Sequence, residues 1–345
     1  MIDLSSADGS VNIDSDKIAT LLKTVNLSIM PELKDYELLR DKIADYYSVA
    51  RDFVVLGNGS DDLIERLALL CSGEDALTVV PCFERLYEAP IKYSNKLDTY
   101  ELNVDNQFKY TETDHALILN KIDKKKYAAV WLCSPNNPTG TLIDLDYIKE
   151  IADKLSPGLV IVDESFLNYI VDSDIRSAAS LLLNHPNIIV ISSFSKAWGL
   201  AGLRLGYTVS TPKAALRISR AGVMFAVNTI AVRAASYLLD KPLFTYEQIK
   251  RIHSMRHEVV EWLLGDAAYV TITNSPLNVF MVRLKSSLLL HEMLLNEDVK
   301  TKSLNRMNGL VDQGFCRIKV PTNEEEIETL LYALARAKDN SITSN

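Results

Sequence analysis

The sequence predicts an α/β fold, with a large domain whose mostly parallel sheet is covered by helices on both faces, and a smaller α+β domain. First, short uninterrupted apolar runs alternate with helical periodicity through the middle of the chain, and such runs are typical of parallel strands buried on both faces. Second, the C-terminal part combines long helical stretches with short strands. Third, 345 residues exceed the size at which one hydrophobic core usually stops growing.

Five apolar runs, each ending in polar or turn residues, are the predicted strands of the large domain. They lie at residues 53–56, 76–80, 128–132, 159–162 and 188–191. Between them, two sets of apolar side chains fall on one face of a helix. The sets are Leu63, Leu67 and Leu70, and Tyr147, Ile148 and Ile151. The alternation predicts a helix-covered parallel sheet, which we place within residues 31–240.

The smaller domain is predicted to combine residues 1–30 with residues 241–345. Its C-terminal elements are two helices and three strands, at residues 246–264, 324–336, 268–273, 278–284 and 314–320. Thr322 and Glu325 have the spacing of a capping box, in which two side chains satisfy backbone N–H groups at the start of a helix. We therefore expect this pair to cap the final helix.

Charge and composition exclude several classes of function. The formal net charge is −8 and no strongly basic cluster occurs, so binding to nucleic acid or to an anionic membrane surface is not expected. No apolar run approaches the length of a membrane span, and no leader pattern is visible. The four cysteines are scattered without CxxC spacing, at Cys71, Cys82, Cys133 and Cys316. We expect free thiols and a cytoplasmic protein.

Polar residues directly follow four of the predicted strands. The segments are residues 57–61, 133–140, 163–164 and 192–196. The carboxyl ends of parallel strands meet at one edge of a sheet, where open α/β folds bind their ligands. The sequence therefore predicts a binding site at this edge.

These segments offer the groups that pyridoxal 5′-phosphate (PLP) needs. Lys196 can bond to the aldehyde, and Asp163, at a buried strand end, can hold a proton on the ring nitrogen. Asn137 can donate to the phenolic oxygen, and Phe83 can stack on the ring. The phosphate needs N–H groups at a helix N-terminus, hydroxyls and an arginine. Its candidate ligands are Gly59, Ser60, Asp61, Ser193, Ser195 and Arg204.

Three stretches together resemble the class I and II aminotransferases. Residues 193–207, which include Ser-Phe-Ser-Lys-Ala-Trp-Gly, are similar to the lysine signature of that family, and residues 134–140 and 162–164 are similar to its other marks. The resemblance extends from about Tyr36 to Ala335 and is greatest to the histidinol-phosphate aminotransferase branch. It implies the PLP-transferase fold of type I and a homodimer with sites at its interface. The implied reaction transfers an amino group between a small amino donor, expected to be phosphorylated, and a 2-oxo acid.

Two residues in the C-terminal part are candidates for binding the substrate. Arg317 lies within an apolar strand, where an unpaired charge is very costly, so it needs an anionic partner. The resemblance implies that Arg317 grips the substrate α-carboxylate as a bidentate fork; a structural ion pair is the alternative. Lys302 aligns roughly with the family's second substrate arginine and can hold a phosphate as a point charge.

The sequence departs from the histidinol-phosphate aminotransferase branch around the expected substrate pocket. Phe166 replaces a tyrosine whose hydroxyl bonds the phenolic oxygen of PLP, and related threonine-phosphate decarboxylases can carry phenylalanine there. A PLP-dependent decarboxylase of a phosphorylated amino acid is therefore the alternative function. The branch's Tyr-Pro motif, whose tyrosine reaches the cofactor phosphate of the other subunit, appears as Met30-Pro31. Tyr36 is a candidate to replace that tyrosine.

Two other classes and a metal site have weaker support. A nucleotide-binding protein using residues 57–59 lacks both the G-x-G-x-x-G pattern and a Walker lysine. A PLP-binding regulator without catalysis would need a DNA-binding extension, and none is visible. His253 and His257 are four residues apart on a predicted helix, but no third ligand is apparent. We therefore expect an enzyme without a metal ion.

Overall fold

The computed structural model describes residues 1–11, 15–26, 28–29, 31–94, 96–171, 175–271, 275–286 and 288–343. Its strands are β1 (Ile2–Asp3), β2 (Val54–Gly57), β3 (Ala76–Val80), β4 (Leu97–Glu101), β5 (Ala129–Cys133), β6 (Leu159–Asp163), β7 (Ile188–Ser193), β8 (Gly206–Ser210), β9 (Tyr269–Thr271), β10 (Val279–Leu284), β11 (Val299–Lys300), β12 (Lys302–Ser303) and β13 (Cys316–Lys319). Its α-helices are α1 (Ser15–Leu22), α2 (Leu33–Tyr47), α3 (Gly59–Leu70), α4 (Arg85–Tyr93), α5 (Glu112–Lys124), α6 (Leu145–Leu155), α7 (Pro212–Arg220), α8 (Thr229–Leu239), α9 (Pro242–Leu264), α10 (Leu290–Asn296) and α11 (Glu324–Thr343). None of the helices described is long and apolar enough to cross a membrane.

The described residues form a seven-stranded sheet in the order β2-β8-β7-β6-β5-β3-β4. Strands β3 to β7 are parallel, whereas β8 is antiparallel to both of its neighbours, β2 and β7. Since β2 and β7 both oppose β8, they point the same way, and β2 ends at the same edge as the parallel strands. The predicted mostly parallel sheet is confirmed, and all of its strands lie between residues 54 and 210.

Alternate side chains of the central strands pack into two separate cores. Val130 and Leu132 of β5 join the core that includes Ile148 of α6. Trp131, between them, joins the opposite core with Leu67 of α3. Helices α2, α5, α6 and α8 contribute to the first core, and α3, α4 and α7 to the second. Burial on both faces explains why these strands read as uninterrupted apolar runs.

A four-stranded antiparallel sheet, in the order β12-β13-β10-β9, forms in the C-terminal part of the described chain. Its apolar face packs with α9 and α11 in a third core, through residues such as Val259, Val279, Ile318 and Leu330. Strand β1 pairs in parallel with β11, and Leu4 is fully buried in the same core. The N-terminal residues thus pack with the C-terminal sheet. The domain division at residues 30 and 240 stays a prediction.

The predicted capping pair of the last helix was wrong by one residue. Helix α11 begins at Glu324, and the Asn323 side chain accepts the Glu326 N–H at 2.9 Å. Glu326, not Glu325, turns back and accepts the backbone N–H of Thr322 at 2.7 Å. Asparagine caps helices as well as threonine does, so the sequence offered two overlapping registers.

Candidate active site

Strand register brings the first predicted segments together at one edge of the seven-stranded sheet. Gly57 of β2 lies beside Gly206 of β8, and Gly206 lies beside Ser193 of β7. Further along the same edge, Asp163 ends β6 and is paired with Cys133, which ends β5. The predicted meeting of strand ends therefore occurs in the structure.

The N-terminus of α3 forms a close-packed cradle in which two positions need glycine. Gly59 has φ +81°, and a Cβ atom there would lie 2.6 Å from Nη2 of Arg204. A Cβ atom on Gly206 would lie 2.7 Å from the backbone nitrogen of Ser60. Arg204 reaches Asp61, with Nη2 3.1 Å from Oδ2. The structure thus brings together Gly59, Ser60, Asp61 and Arg204 where a helix N-terminus can bind an anion.

Ser193 and Ser195 shape the turn that leads from β7 to Lys196. The Ser193 hydroxyl accepts the backbone N–H of Ser195 at 3.0 Å and lies 3.4 Å from the carbonyl oxygen of Leu205. Both serines are buried. Their local hydrogen bonds fix the direction of the chain at Lys196, and their predicted role as phosphate ligands stays a prediction.

Asp163 and Glu164 are adjacent carboxylates with different surroundings. Asp163 is only 2% exposed and accepts the backbone N–H of Ser165 at 2.8 Å. No cation in the described part of the chain lies within ion-pair distance of Asp163, and burial raises the pKa of its carboxyl. Glu164 accepts hydrogen bonds from Ser177 Oγ at 2.5 Å and from the N–H of Ala178 at 2.7 Å. Among the described residues Asp163 therefore lacks a cation partner, whereas the carboxylate of Glu164 is engaged in structural hydrogen bonds.

Lys196 contacts a residue that the sequence patterns did not single out. Its Nζ lies 2.6 Å from Oδ1 of Asp8, in the N-terminal segment. The same Nζ lies 5.4 Å from the centre of the Phe166 ring. Asp8 belongs to no motif and is far from Lys196 in sequence, so nothing in the sequence pattern pointed to this contact.

Arg317 is buried and makes no ion pair within the described residues. Its Nη1 donates to Oδ1 of Asn137 at 2.9 Å, and its Nη2 donates to the carbonyl oxygen of Ser5 at 3.0 Å. Its Nε is buried without a hydrogen-bond partner in the described part of the chain. Burial lowers the pKa of the guanidinium. A permanent structural ion pair, the alternative weighed from the sequence, is absent from the described residues.

Lys302 lies next to Arg317 across strands β12 and β13. Its Nζ forms a close ion pair with Glu84, a second residue that the sequence patterns did not single out. Glu84 follows Phe83, which is half-buried and packs against the core under α3 and α4. Both candidate substrate residues and the candidate ring-stacking residue therefore lie in one neighbourhood.

The departures from the resembled branch have definite positions. Phe166 is buried and its ring lies 6.0 Å from that of Tyr169, at an interplanar angle of 29°. The Tyr36 hydroxyl donates to the carbonyl oxygen of Val227, and its proposed contact with another subunit stays a prediction. Met30 lies outside the described residues.

Comparison with known proteins agrees with this geometry. The family model described as "Aminotransferase class I and II" matches residues 12–334. The histidinol-phosphate aminotransferase of Methanosphaera stadtmanae is 30% identical over 317 residues, covering 86% of this chain and 80% of that protein.

Two solved structures with the same fold are a decarboxylase and an aminotransferase. The L-threonine-O-3-phosphate decarboxylase from Porphyromonas gingivalis has a TM-score of 0.82 at 23% identity, covering 97% of this chain and 98% of that chain. The histidinol-phosphate aminotransferase from Sinorhizobium meliloti, in complex with pyridoxal-5′-phosphate, has a TM-score of 0.82 at 19% identity, covering 98% and 90%. At these identities the similarity establishes the fold and leaves the reaction to other arguments.

Proposed function

Because this chain belongs to the aminotransferase class I and II family, we propose that it transfers an amino group from a small phosphorylated amino compound to a 2-oxo acid. The chain is a PLP-dependent aminotransferase similar to histidinol-phosphate aminotransferases. The observation that carries the proposal is the arrangement around Lys196. A lysine amine, a buried carboxylate that has no cation partner among the described residues and a glycine cradle at a helix N-terminus lie at one edge of the seven-stranded sheet, and the buried Arg317 of β13 contacts Asn137 there.

The residues at this edge fit PLP. At the cradle formed by Gly59 and Ser60 the absence of side chains lets Arg204 and the backbone of β8 approach the first N–H groups of α3, which is a combination of groups that can hold a phosphate. Asp163 is a buried carboxylate that lacks a cation among the described residues, so a protonated ring nitrogen would supply its partner. When bound, PLP supplies an electron sink that stabilises negative charge on the substrate carbon bearing the amino group.

The amide of Asn137 is oriented by its neighbour. Because Arg317 donates to Oδ1 of Asn137, the Nδ2 group is left as the donor that can face the phenolic oxygen of the cofactor. Amide oxygen and nitrogen are distinguished by such partners. This contact also couples cofactor binding to substrate binding, since the guanidinium that orients Asn137 is the one we assign to the substrate.

Lys196 moves protons at the reacting carbon. Its Nζ would hold the cofactor, and we assign to the same amine the proton transfer at the substrate carbon. Arg317 binds an anionic group of the substrate through its unpartnered Nε and one further N–H. Lys302 contributes a second positive charge, which Glu84 offsets in part.

Decarboxylation of a phosphorylated amino acid is the second candidate. One observation favours it: Phe166 is buried close to Lys196 and supplies no hydroxyl. The same lysine, aspartate and arginine would serve both reactions, because both develop negative charge on the same carbon.

A single-turnover experiment tests the proposal and separates the two reactions. PLP-loaded protein is mixed with individual amino acids and amino phosphates, and absorbance and released carbon dioxide are followed. Transamination should convert PLP into pyridoxamine phosphate. Carbon dioxide release with PLP unchanged would instead identify a decarboxylase. No reaction with any phosphorylated compound, alongside turnover of an unphosphorylated one, would contradict the proposed substrate class.

A further inference from the structure

The N-terminal arm, residues 1–11, is fixed against the C-terminal sheet. Strand β1 pairs with β11, and the Leu4 carbonyl accepts the backbone N–H of Lys319 at 2.8 Å. The fully buried Asn278 donates from Nδ2 both to the Ala7 carbonyl at 2.8 Å and to Ser10 Oγ at 2.7 Å. The arm is thus tied down on both sides of Asp8.

Asp8 is presented to Lys196 as a charged carboxylate. Its Oδ1 lies 2.6 Å from Lys196 Nζ, and its Oδ2 accepts a hydrogen bond from Ser6 Oγ at 3.1 Å. Burial alone would raise the pKa of the Asp8 carboxyl, but the nearby charges of Lys196 and Arg317 lower it overall. A rigid arm therefore places a negative charge beside the amine at which the reaction takes place.

The charged side chains around Lys196 and Arg317 alternate in sign. Asp8 pairs with Lys196, and Glu84 pairs with Lys302. Arg317 interacts electrostatically with both carboxylates. In a site that binds only anions, we would expect no carboxylates beside the cations, because their negative charge repels an anionic ligand and weakens its binding. This alternation of charges suits a substrate that carries a cationic or hydrogen-bond-donating group as well as an anionic one.

We propose that Asp8 is a specificity-determining residue, which accepts a hydrogen bond from a cationic or hydroxyl-bearing side group of the amino donor. The inference rests on the proposed function, because it assumes that donors react at Lys196. While Lys196 Nζ holds the cofactor, it would offer fewer N–H donors to Asp8 than the free amine does. The carboxylate then has an open acceptor position beside the reacting centre, and a donor group of the substrate fills it. A phosphate of the same substrate lies toward Arg317 and Lys302.

Equilibrium binding of unreactive donor analogues tests this without turnover. PLP-loaded protein is titrated with α-methylornithine, whose side chain is cationic, and with α-methylaspartate, whose side chain is anionic, and the cofactor absorbance reports binding. Neither compound has a hydrogen on the reacting carbon, so neither can be transaminated. We expect the cationic compound to bind the unmodified protein at least roughly tenfold more tightly, the factor associated with one charged hydrogen bond.

Three variants decide the outcome. Asp8→Asn should reduce the preference to about twofold or less, whereas Asp8→Glu, which keeps the charge, should retain most of it. Asp3→Asn is the matched control, because Asp3 lies on the same arm and pairs with Lys300 at 2.8 Å, away from Lys196. If Asp8→Asn binds both compounds and keeps the same preference for the cationic one, the role of Asp8 is overturned. The proposed function is unaffected by that outcome. If neither compound perturbs the bound cofactor in any variant, the inference about Asp8 fails, and the proposed function then stands or falls separately on the single-turnover experiment with phosphorylated donors.

Discussion

The cofactor side and the substrate side of the candidate site are built differently. The cofactor side comes from short contiguous segments at strand ends, such as residues 59–61 at the start of α3 and residues 193–196 at the end of β7. The substrate side joins residues that are far apart in sequence, because Asp8, Glu84 and Arg317 meet only when the arm, the loop after β3 and the C-terminal sheet pack together. The residues that we assign to the cofactor thus come from local motifs, whereas those that we assign to the substrate are brought together by long-range packing.

This difference makes the cofactor side the place where single substitutions have the largest expected effect. Lys196→Ala should lower turnover by at least about 10³-fold, because covalent attachment and proton transfer disappear together. The variant should still bind PLP, since the cradle at α3 and Asp163 are intact. Borohydride reduction followed by peptide mapping should label Lys196 in the unmodified protein and no lysine in the variant. Labelling of a different lysine in the unmodified protein would place the cofactor elsewhere.

Asp163→Asn should cost roughly 10²-fold or more in turnover, because the ring nitrogen loses its anionic partner. The raised pKa of Asp163 means that the folded state disfavours its charged form, and any stability it contributes is lost as the pH rises through that value. The neutral variant should therefore melt no lower than the unmodified protein at pH 8 without cofactor. Near-normal turnover would instead make Asp163 a structural residue.

Glu164→Gln is the matched control for Asp163→Asn. Glu164 is the next residue along the chain and is equally buried, but its carboxylate is occupied by Ser177 and Ala178. Turnover of Glu164→Gln should stay within a few-fold of the unmodified protein. A loss as large as that of Asp163→Asn would show that the assay responds to any change at the end of β6.

Arg317→Lys tests the substrate side. The substitution replaces the planar guanidinium, which donates several N–H groups in a fixed geometry, with a single ammonium group. KM for a carboxylate- or phosphate-bearing donor should therefore rise roughly tenfold or more, while kcat changes less. Arg336→Lys, a half-exposed arginine of α11 that faces Glu297 at 3.7 Å, is the matched control. If Arg317→Lys and the unmodified protein have equal KM values for every anionic donor, Arg317 has only a structural role, through its hydrogen bonds to Asn137 and Ser5.

Sequence patterns singled out the candidate cofactor residues because most of them lie at the end of a buried apolar strand or directly after it, whereas Arg204 precedes β8. The patterns missed two strands of the large sheet that have no uninterrupted apolar run. Strand β8 contains Thr208 and Ser210, which are fully buried hydroxyl residues, so its apolar run is broken and it was not predicted. Strand β4 lies at the edge of the sheet and is half-exposed, so it has no apolar run either.

The substrate side shows the limit more clearly. Arg317 could be predicted because a charge within an apolar strand is costly and therefore informative. Asp8 and Glu84 are single acidic residues outside the motifs and the predicted strands, where such residues are common and carry no signal. Their importance arises from contacts with Lys196 and Lys302 that span most of the chain. The substrate of this enzyme is therefore better sought through the packing of its arm than through its motifs.

Phe166→Tyr has the smallest expected effect. Phe166 lies between the cofactor side and the substrate side, and the centre of its ring is 5.4 Å from Lys196 Nζ. A tyrosine hydroxyl that donates a hydrogen bond to the phenolic oxygen of the bound cofactor would stabilise the anionic form of that oxygen. One neutral hydrogen bond is worth about 0.5–1.5 kcal/mol, so the pH midpoint of the cofactor's long-wavelength absorbance should fall by roughly half to one unit. Phe53→Tyr, at the amino end of β2 on the opposite edge of the sheet, should leave that midpoint unchanged. An upward shift in Phe166→Tyr, or no shift when a crystal structure of the variant shows the hydroxyl touching the phenolic oxygen, would remove Phe166 from the cofactor side.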